Sequence, residues 1–320
     1  MPKVKVKPDK KNQSGKTNIS SNIVNARPLD INKKPKKHKL ANVWSLSASS
    51  LRLLWRQRLL FIGIVLIFGV INFAIANGFS AGANLANTKN QFTSFFHGQF
   101  KQIEGGLTVF TLMLTNAGSS NTNGGLAYGI ILTIMVSLSL IWAIRNTSNN
   151  TKVRIRDAYY RSMYPIVPFI LVLLVIVLEM IPLIIGTSLY VTAAYNNIAV
   201  NGFEQLIFGV LALALTALSL YWLSSSIFAL YIVTLPDMTP MKALSSAKKL
   251  VKKRRLQVIL RVLYLPLALL ILSAVVMLPT ILFVSVISQW VFMLLTLVFI
   301  ALFHSYFYNL YRELLDNEQS

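Results

Sequence analysis

Glu179 and Asn72 are the polar residues whose positions suggest chemistry inside a membrane. Both lie within long apolar runs, at comparable depth, and Glu179 is the one acidic residue in any of these runs. An ionisable group in the middle of a membrane helix costs about 2.5–3.5 kcal/mol on insertion scales, so such residues are candidates for function. We weigh two roles for Glu179: a transport or proton site, and a structural contact in which a hydrogen bond to Asn72 or protonation removes the cost.

Other residue types that could do chemistry are sparse. Arg261 and His304 lie towards one end of two further apolar runs, where a long arginine side chain reaches the lipid phosphates. The three histidines, His38, His97 and His304, lack the short spacing of a metal motif. The serine run 224–226 is typical of close helix packing rather than of a nucleophile. Because cysteine is absent as well, we expect no metal, no cofactor and no catalytic residue.

A basic amphipathic helix is predicted within the segment 235–261. Thr239 is a plausible N-cap with Pro240 at the first helical position, and Leu244, Ala247 and Val251 recur at three- and four-residue steps. Near an anionic membrane surface each cation contributes about 1 kcal/mol, so this helix is a candidate for binding acidic lipid headgroups. The alternative is that its charges only fix orientation. The candidate headgroup-binding residues are Lys248, Lys249, Lys252, Lys253, Arg254 and Arg255.

The same segment carries a family resemblance. A long apolar run is followed by Pro236, then by the pair Ala243-Leu244, by Leu250, and by a basic cluster that enters the next run. This order resembles the membrane domain associated with glycerophosphoryl diester phosphodiesterases and its six-span relatives. The resemblance implies an all-α membrane protein. In the fused relatives the phosphodiesterase is a separate soluble barrel, for which this sequence leaves no room, so we expect no enzymatic activity.

The composition requires lipid as the solvent for most of the chain. Apolar residues make up 55% of it, charged residues only 13%, and the mean hydropathy is +0.59, whereas a soluble domain is about a quarter charged. A hydrocarbon core of about 30 Å needs roughly 20 helical residues. The sequence therefore predicts an all-α polytopic bundle of six transmembrane helices, over residues 59–78, 126–144, 164–186, 206–233, 258–284 and 288–309.

Two features of these windows concern their shape. The fourth is longer than a bilayer requires, so it must tilt, kink or project from the membrane. Pro182, Pro266 and Pro279 lie inside predicted spans and are expected to kink rather than break them, because neighbouring groups can bond the freed carbonyls.

Lysine and arginine fall on alternate connections between the predicted spans. Of the 31 such residues, only Lys89 and Lys101 lie on one side of the membrane, and all the others belong to the opposite side. By the positive-inside rule this places both termini and the basic helix in the cytosol. We expect a multi-pass protein of the cell membrane, either plasma or inner.

The segments outside the spans complete the predicted organisation. The outer segment 79–125 contains helix-spaced phenylalanines over 92–103, which suit an interfacial helix. It also contains an apolar run, 107–114, that is too short to cross and is either re-entrant or a cover for the bundle. The domains are a disordered basic cytosolic tail (1–45), an amphipathic lead-in at the membrane surface (46–58), the six-span domain (59–312) and a short cytosolic tail (313–320).

These patterns favour a non-enzymatic scaffold or accessory factor in membrane or lipid homeostasis, whose basic helix engages acidic lipids. The expected partners are a bilayer that contains acidic phospholipids and another membrane or cytosolic protein. Nucleic acid is not expected as a partner, because no aromatic residues interleave the lysines of the tail. The alternative is a small-molecule or lipid transporter that uses Glu179 and Asn72 in a cleft between the first and third spans.

Overall fold

The computed structural model describes residues 42–76, 123–149, 151–196, 198–199, 201–252, 254–284 and 287–319. Within these ranges the chain is helical and contains no strand, which confirms the all-α class. The helices are α1 (Val43–Arg56), α2 (Arg58–Ile71, extended by a π-helical turn Asn72–Ala76), α3 (Asn123–Ser148), α4 (Ile155–Ser162), α5 (Ile166–Glu179), α6 (Ile181–Tyr195), α7 (Gly202–Ile232), α8 (Pro240–Val251), α9 (Arg255–Phe283) and α10 (Ser288–Gln319).

Among the residues that the structure describes, five helical segments are long and apolar enough to cross a membrane. They are Ala127–Ser148, Ile166–Ala194, Gly202–Ile232, Arg255–Phe283 and Ser288–Asn317. α1 and α2 pass the same test only together, and they meet at 87°, so they form a sixth span only if the bent pair is counted as one. The chain is therefore a multi-pass membrane protein with five to six candidate spans.

Several helix ends differ from the predicted windows. The third span continues to Ala194, beyond the predicted end at residue 186. α10 runs to Gln319, so the residues 313–319 that were predicted as a tail are helical, and Leu314 is buried. A window of hydrophobicity ends where the apolar run ends, whereas a helix continues as long as its backbone bonds and packing persist. The predicted tail (up to residue 41), His38, His97, and the segments 92–103 and 107–114 lie outside the described residues.

The main hydrophobic core lies at one end of the bundle. We call this the basic end, because the exposed lysines of α8 are located there. The core joins α1, α2, the second half of α3, the start of α5, the last residues of α7, the buried face of α8, the start of α9 and the second half of α10. Its fully buried members include Ile64, Leu138, Val172, Phe228, Val258 and Leu310.

Away from the basic end the helices expose apolar side chains. Ile184 of α6, Leu213 of α7, and Leu270 and Val275 of α9 are all exposed. A protein surrounded by water rarely exposes so extensive an apolar surface, and acyl chains are the solvent that suits it. α6 contributes no residue to the main core within the described part of the chain.

α7 shows how the long fourth span is accommodated. It is one continuous helix of 31 residues, about 46 Å long. The side chains of Phe203, Leu206 and Val210 are exposed, whereas nearly all residues over 224–232 are buried in the main core. The first part of α7 is thus long enough to cross a bilayer, and its last turns belong to the packed basic end.

The third span contains a local break. α5 ends at Glu179 and α6 begins at Ile181, with Pro182 in the first turn of α6. Proline has no N–H and its ring crowds the carbonyl four residues earlier, so the carbonyl of Leu178 loses its usual donor. Met180 keeps helical backbone angles, and Ile166–Ala194 forms one candidate span, so the interruption is a kink, as predicted. By contrast, α9 continues through both Pro266 and Pro279, as predicted.

α6 and α7 form a closely packed antiparallel pair. Gly186 is buried against α7, and a Cβ there would lie 3.2 Å from both Cα and O of Ala212. Such a distance is too short for an unmoved backbone, so glycine permits this close approach, as small residues do between membrane helices. Beside it, the Leu183 N–H donates to Ser219 Oγ at 3.0 Å.

Candidate functional site

α8 is the basic amphipathic helix expected from the sequence. Thr239 Oγ1 accepts a hydrogen bond from the Lys242 N–H at 3.4 Å, and Pro240 is the first helical residue, which confirms the predicted start. Ala243, Ala247 and Val251 are completely buried, since α8 packs on the end of α7 and also contacts α5 and α10. The small alanine side chains allow this contact, so α8 is attached to the bundle along its whole length.

The cations of α8 occupy its opposite face. Lys242, Lys248, Lys249 and Lys252 are exposed. The packing of the alanine face fixes where these four ammonium groups emerge, so the helix presents a basic surface from a defined position. Lys253 lies outside the described residues.

The two arginines that follow α8 are placed differently from the lysines. Arg254 and Arg255 are partly buried. The guanidinium of Arg255 lies 4.1 Å from the centre of the Tyr221 ring on α7, which is a cation–π contact. The six predicted headgroup residues therefore do not form one uniform surface, because Arg255 also holds the start of α9 against α7.

Glu179 contacts α7 at the break between α5 and α6. Ser226 Oγ donates to Glu179 Oε1 at 2.6 Å. Oε2 of Glu179 is shielded from solvent and has no hydrogen-bond partner among the described residues. The serine run that was predicted to favour close packing thus also supplies the polar partner of the one acidic residue in the predicted spans.

Asn72 does not form the predicted pair with Glu179. It is buried at the start of the π-helical turn that packs on α3, and its Oδ1 has no partner among the described residues. The expectation was wrong because α2 packs on α3 and α10, while α5 packs mainly on α7. Depth along a span, which the sequence provides, does not determine which spans are neighbours.

Arg261 and His304 both lie near the basic end. Arg261 Nη1 donates to the Gln257 carbonyl at 3.2 Å, so its side chain points back along α9 towards the basic end, in the direction expected for snorkelling. His304 is buried, with Nδ1 3.3 Å from the Tyr231 hydroxyl. Within the described residues no group of three His, Asp or Glu side chains is placed to hold a metal ion.

Arg145 is a polar residue of the basic end whose role the sequence did not reveal. From the last turn of α3 it donates to the carbonyls of Tyr231 and Thr234, both at 2.8 Å, and to Thr234 Oγ1 at 2.6 Å. It therefore caps the carboxyl end of α7, where helix carbonyls lack internal donors and carry partial negative charge. An arginine in the last turn of a span was the available signal, but its partner 86 residues away was not.

α1 is held on α10 by buried hydrogen bonds. Ser305 Oγ donates to the Ser50 carbonyl at 3.1 Å, and Asn309 Nδ2 donates to Ser50 Oγ at 2.9 Å. Leu46 and Ser50 are buried on this face, whereas Trp44 and Trp55 are exposed on another. The predicted lead-in is thus a helix with one face packed on the bundle and an aromatic face left open.

Known proteins do not add to this picture. A comparison with protein families, curated proteins and solved structures found no match for this chain. The features of the molecule that point to a function are the geometry of the basic end and that of the kink at Glu179.

Proposed function

We propose that this chain is a non-enzymatic integral membrane protein that holds a basic helix in a fixed position for acidic lipid headgroups, and that it acts as a scaffold or accessory factor in membrane or lipid homeostasis. The observation that carries the proposal is that α8 is buried on one face and exposes lysines on the opposite face. Ala243, Ala247 and Val251 are completely buried, while Lys242 and Lys248, like Lys249 and Lys252, are exposed.

Electrostatics supports acidic lipids as the ligand. Each lysine or arginine near an anionic surface contributes about 1 kcal/mol, and this attraction falls off within a Debye length of about 8 Å at physiological salt. A helix that is already packed loses little conformational entropy when it binds, so more of that attraction remains as affinity. The distribution of lysine and arginine supports the proposal that α8 and both termini face the cytosol, at the plasma or inner membrane.

The test is to count acidic lipids around the protein. In nanodiscs of mixed zwitterionic lipid and phosphatidylglycerol, spin-labelled phosphatidylglycerol reports how strongly that lipid is enriched at the protein surface. Changing Lys242, Lys248, Lys249 and Lys252 together to Gln should abolish most of the enrichment at low salt. The matched control changes the same four residues to Arg, which keeps the charge and should keep the enrichment. Equal enrichment in the Gln variant and the wild type would overturn the proposal.

The break at Glu179 supports a second candidate function, transport. Discontinuous membrane helices with freed carbonyls line the substrate and ion sites of many secondary transporters. Here the Glu179 carboxyl group and the Ser226 hydroxyl lie at the kink. The Leu178 carbonyl lacks its usual helical donor there, because residue 182 is a proline and has no N–H.

Proton flux separates the two candidates. In liposomes that contain a pH-sensitive dye and experience a potassium diffusion potential, a proton-coupled transporter should acidify or alkalinise the lumen faster than empty liposomes do. Glu179→Gln should abolish that flux. If the wild type carries no flux and Glu179→Gln leaves acidic-lipid enrichment unchanged, the transporter candidate fails and the scaffold remains.

A further inference from the structure

A cavity opens at the corner where α1 meets α2. Its volume is about 580 Å³, and its walls come from the end of α1, the first turn of α2 and the residues that lead into α4. Gln57 forms the corner itself, and its Oε1 accepts a hydrogen bond from Thr147 Oγ1 at 3.0 Å, which ties the corner to α3. The cavity is therefore built between three fixed elements.

Three arginines line this cavity. They are Arg56 and Arg58 on either side of the corner, and Arg154 at the N-cap of α4. None of the nine residues that line it is acidic. The guanidinium is the side chain best suited to bind a phosphate through two parallel hydrogen bonds. The chemistry of the lining therefore selects a phosphate-bearing anion.

The first turn of α2 adds to this preference. α2 begins at Arg58, and residues 57–60 form one wall of the cavity. The Leu60 N–H already donates to the Gln57 carbonyl at 3.0 Å, so at this helix start the N–H groups of Arg58 and Leu59 are the backbone donors that can add to the arginine side chains in attracting an anion. The guanidinium carbon of Arg58 lies 5.6 Å from the centre of the Trp55 ring, and this contact keeps the guanidinium at the cavity.

An apolar stripe leads away from the cavity along α2. Leu59, in the cavity wall, is 80% exposed, and Ile62, Leu66 and Val70 continue the same helix face and are exposed as well. In a membrane this stripe contacts acyl chains. A soluble anion would fill only the arginine part of the site, whereas a phospholipid would fill the arginine part and also cover the stripe.

From these observations we infer that the α1–α2 corner is a discrete binding site for one anionic phospholipid, with its phosphate between Arg58 and Arg154 and an acyl chain along Leu59 and Ile62. The inference rests on the proposed function only in requiring that the basic end lies at a membrane surface. It differs from the α8 surface in kind, because it predicts one retained lipid rather than general enrichment.

Native mass spectrometry of the full chain, released from nanodiscs that contain phosphatidylglycerol, tests this site. The wild type should retain one phosphatidylglycerol molecule, and the variant with Arg58→Gln and Arg154→Gln should retain it at least tenfold less. The matched control, Arg156→Gln with Arg161→Gln, removes two exposed cations of α4 that do not line the cavity and should retain the lipid. Thermal unfolding of each variant shows that the comparison is between folded proteins.

Two further arms make the outcome decisive. Inorganic phosphate and glycerol 1-phosphate are titrated as competitors; if either displaces the lipid at a concentration equal to that of the lipid, the ligand is a soluble anion and the inference is overturned. It is also overturned if both double variants lose the lipid equally. The α8 Gln variant should lose the general enrichment yet keep the single lipid, so failure of the proposed function and failure of this site give different results.

Discussion

Arg145 illustrates how one side chain can close the end of a helix in another part of the chain. Its guanidinium bonds two carbonyls at the end of α7, and the Tyr231 ring beside them stacks on Tyr311 of α10 at a centroid distance of 6.4 Å. The cap thereby links three spans. Hydrogen bonds to charged groups contribute about 1.5–3 kcal/mol each, more than bonds between neutral groups.

We predict that Arg145→Met lowers the free energy of unfolding by about 2–4 kcal/mol, because it removes the charged hydrogen bonds to the carbonyls of Tyr231 and Thr234. The melting temperature in detergent should fall by roughly 5–10 °C. Arg145→Lys should recover part of the loss, since an ammonium group cannot reproduce the planar fork. Arg161→Met, at an exposed position of α4, serves as the control and should leave the melting temperature unchanged.

Tyr159 of α4 has a raised pKa whose effect on stability can be measured. Its hydroxyl donates to the Ile64 carbonyl of α2 at 2.7 Å, and burial raises its pKa from 10.0 to about 12. Because the neutral phenol is favoured in the folded state, the folded protein binds more protons than the unfolded chain between those two values. Its contribution to stability is therefore complete below pH 10 and is lost as the pH rises to about 12.

The corresponding test compares the wild type with Tyr159→Phe by thermal unfolding from pH 8 to pH 12. At pH 8 the wild type should be more stable by about 1 kcal/mol, the contribution of one hydrogen bond. That advantage should shrink above pH 10. An advantage that stays constant across the whole range would contradict the burial of this phenol.

The contacts of some of these residues could be predicted from the sequence, and the contacts of others could not. The Thr239 cap was predictable because its partner is three residues away, and its physics is local. The Arg145 cap and the contact between Glu179 and Ser226 depend on which spans are neighbours, and one sequence contains no direct information on that. Asn72 and Glu179 are polar and lie at similar depth, yet the packing of α2 on α3 separates them.

At the scale of elements, α1 is more firmly attached than its amphipathic pattern indicated. Helical spacing groups Leu51 and Leu54 on one side of the predicted lead-in helix. In the structure Leu54 packs against the core, while Leu51 is exposed beside Trp55. Its hydrogen bonds to α10 are made through Ser50, a residue whose type gave no sign of burial.

We expect the pair Ser305→Val and Asn309→Leu to release α1 from α10, because both residues lose their hydrogen bonds to Ser50. At about 1 kcal/mol for each bond, amide hydrogen exchange over residues 43–56 should accelerate by roughly 30-fold. Ser45→Ala removes only a local bond to Asn42 within α1 and should leave exchange unchanged. Equal exchange in the wild type and the double variant would show that these bonds do not hold α1.

Helix existence and approximate bounds were predictable because hydrocarbon thickness sets a length that any span must meet. The break at Met180 was anticipated as a bend from Pro182, and the sequence could not show that Leu183 would bond Ser219 of α7 instead. Helix ends beyond the apolar runs, such as the continuation of α10 to Gln319, depend on tertiary packing that hydropathy does not measure.

For the whole molecule, the alternation of charge predicts an orientation that reporter tags can test. A tag near Asn196, in the connection between α6 and α7, and a tag near Lys249, on α8, are separated by the single span α7. The two tags should report opposite compartments, with Lys249 in the cytosol. Detection of both in one compartment would contradict the topology.

The one-sided position of the core has a consequence for how the molecule responds to its solvent. The basic end is stabilised by contacts within the protein. Much of the α6–α7 hairpin surface is exposed, and it contacts the lipid or detergent that surrounds it. Exchanging short-chain for long-chain detergent should therefore alter the mobility of that hairpin and leave the region around Phe228 and Val258 rigid. Protein contacts therefore determine the conformation of the basic end, and the surrounding amphiphile influences that of the α6–α7 hairpin.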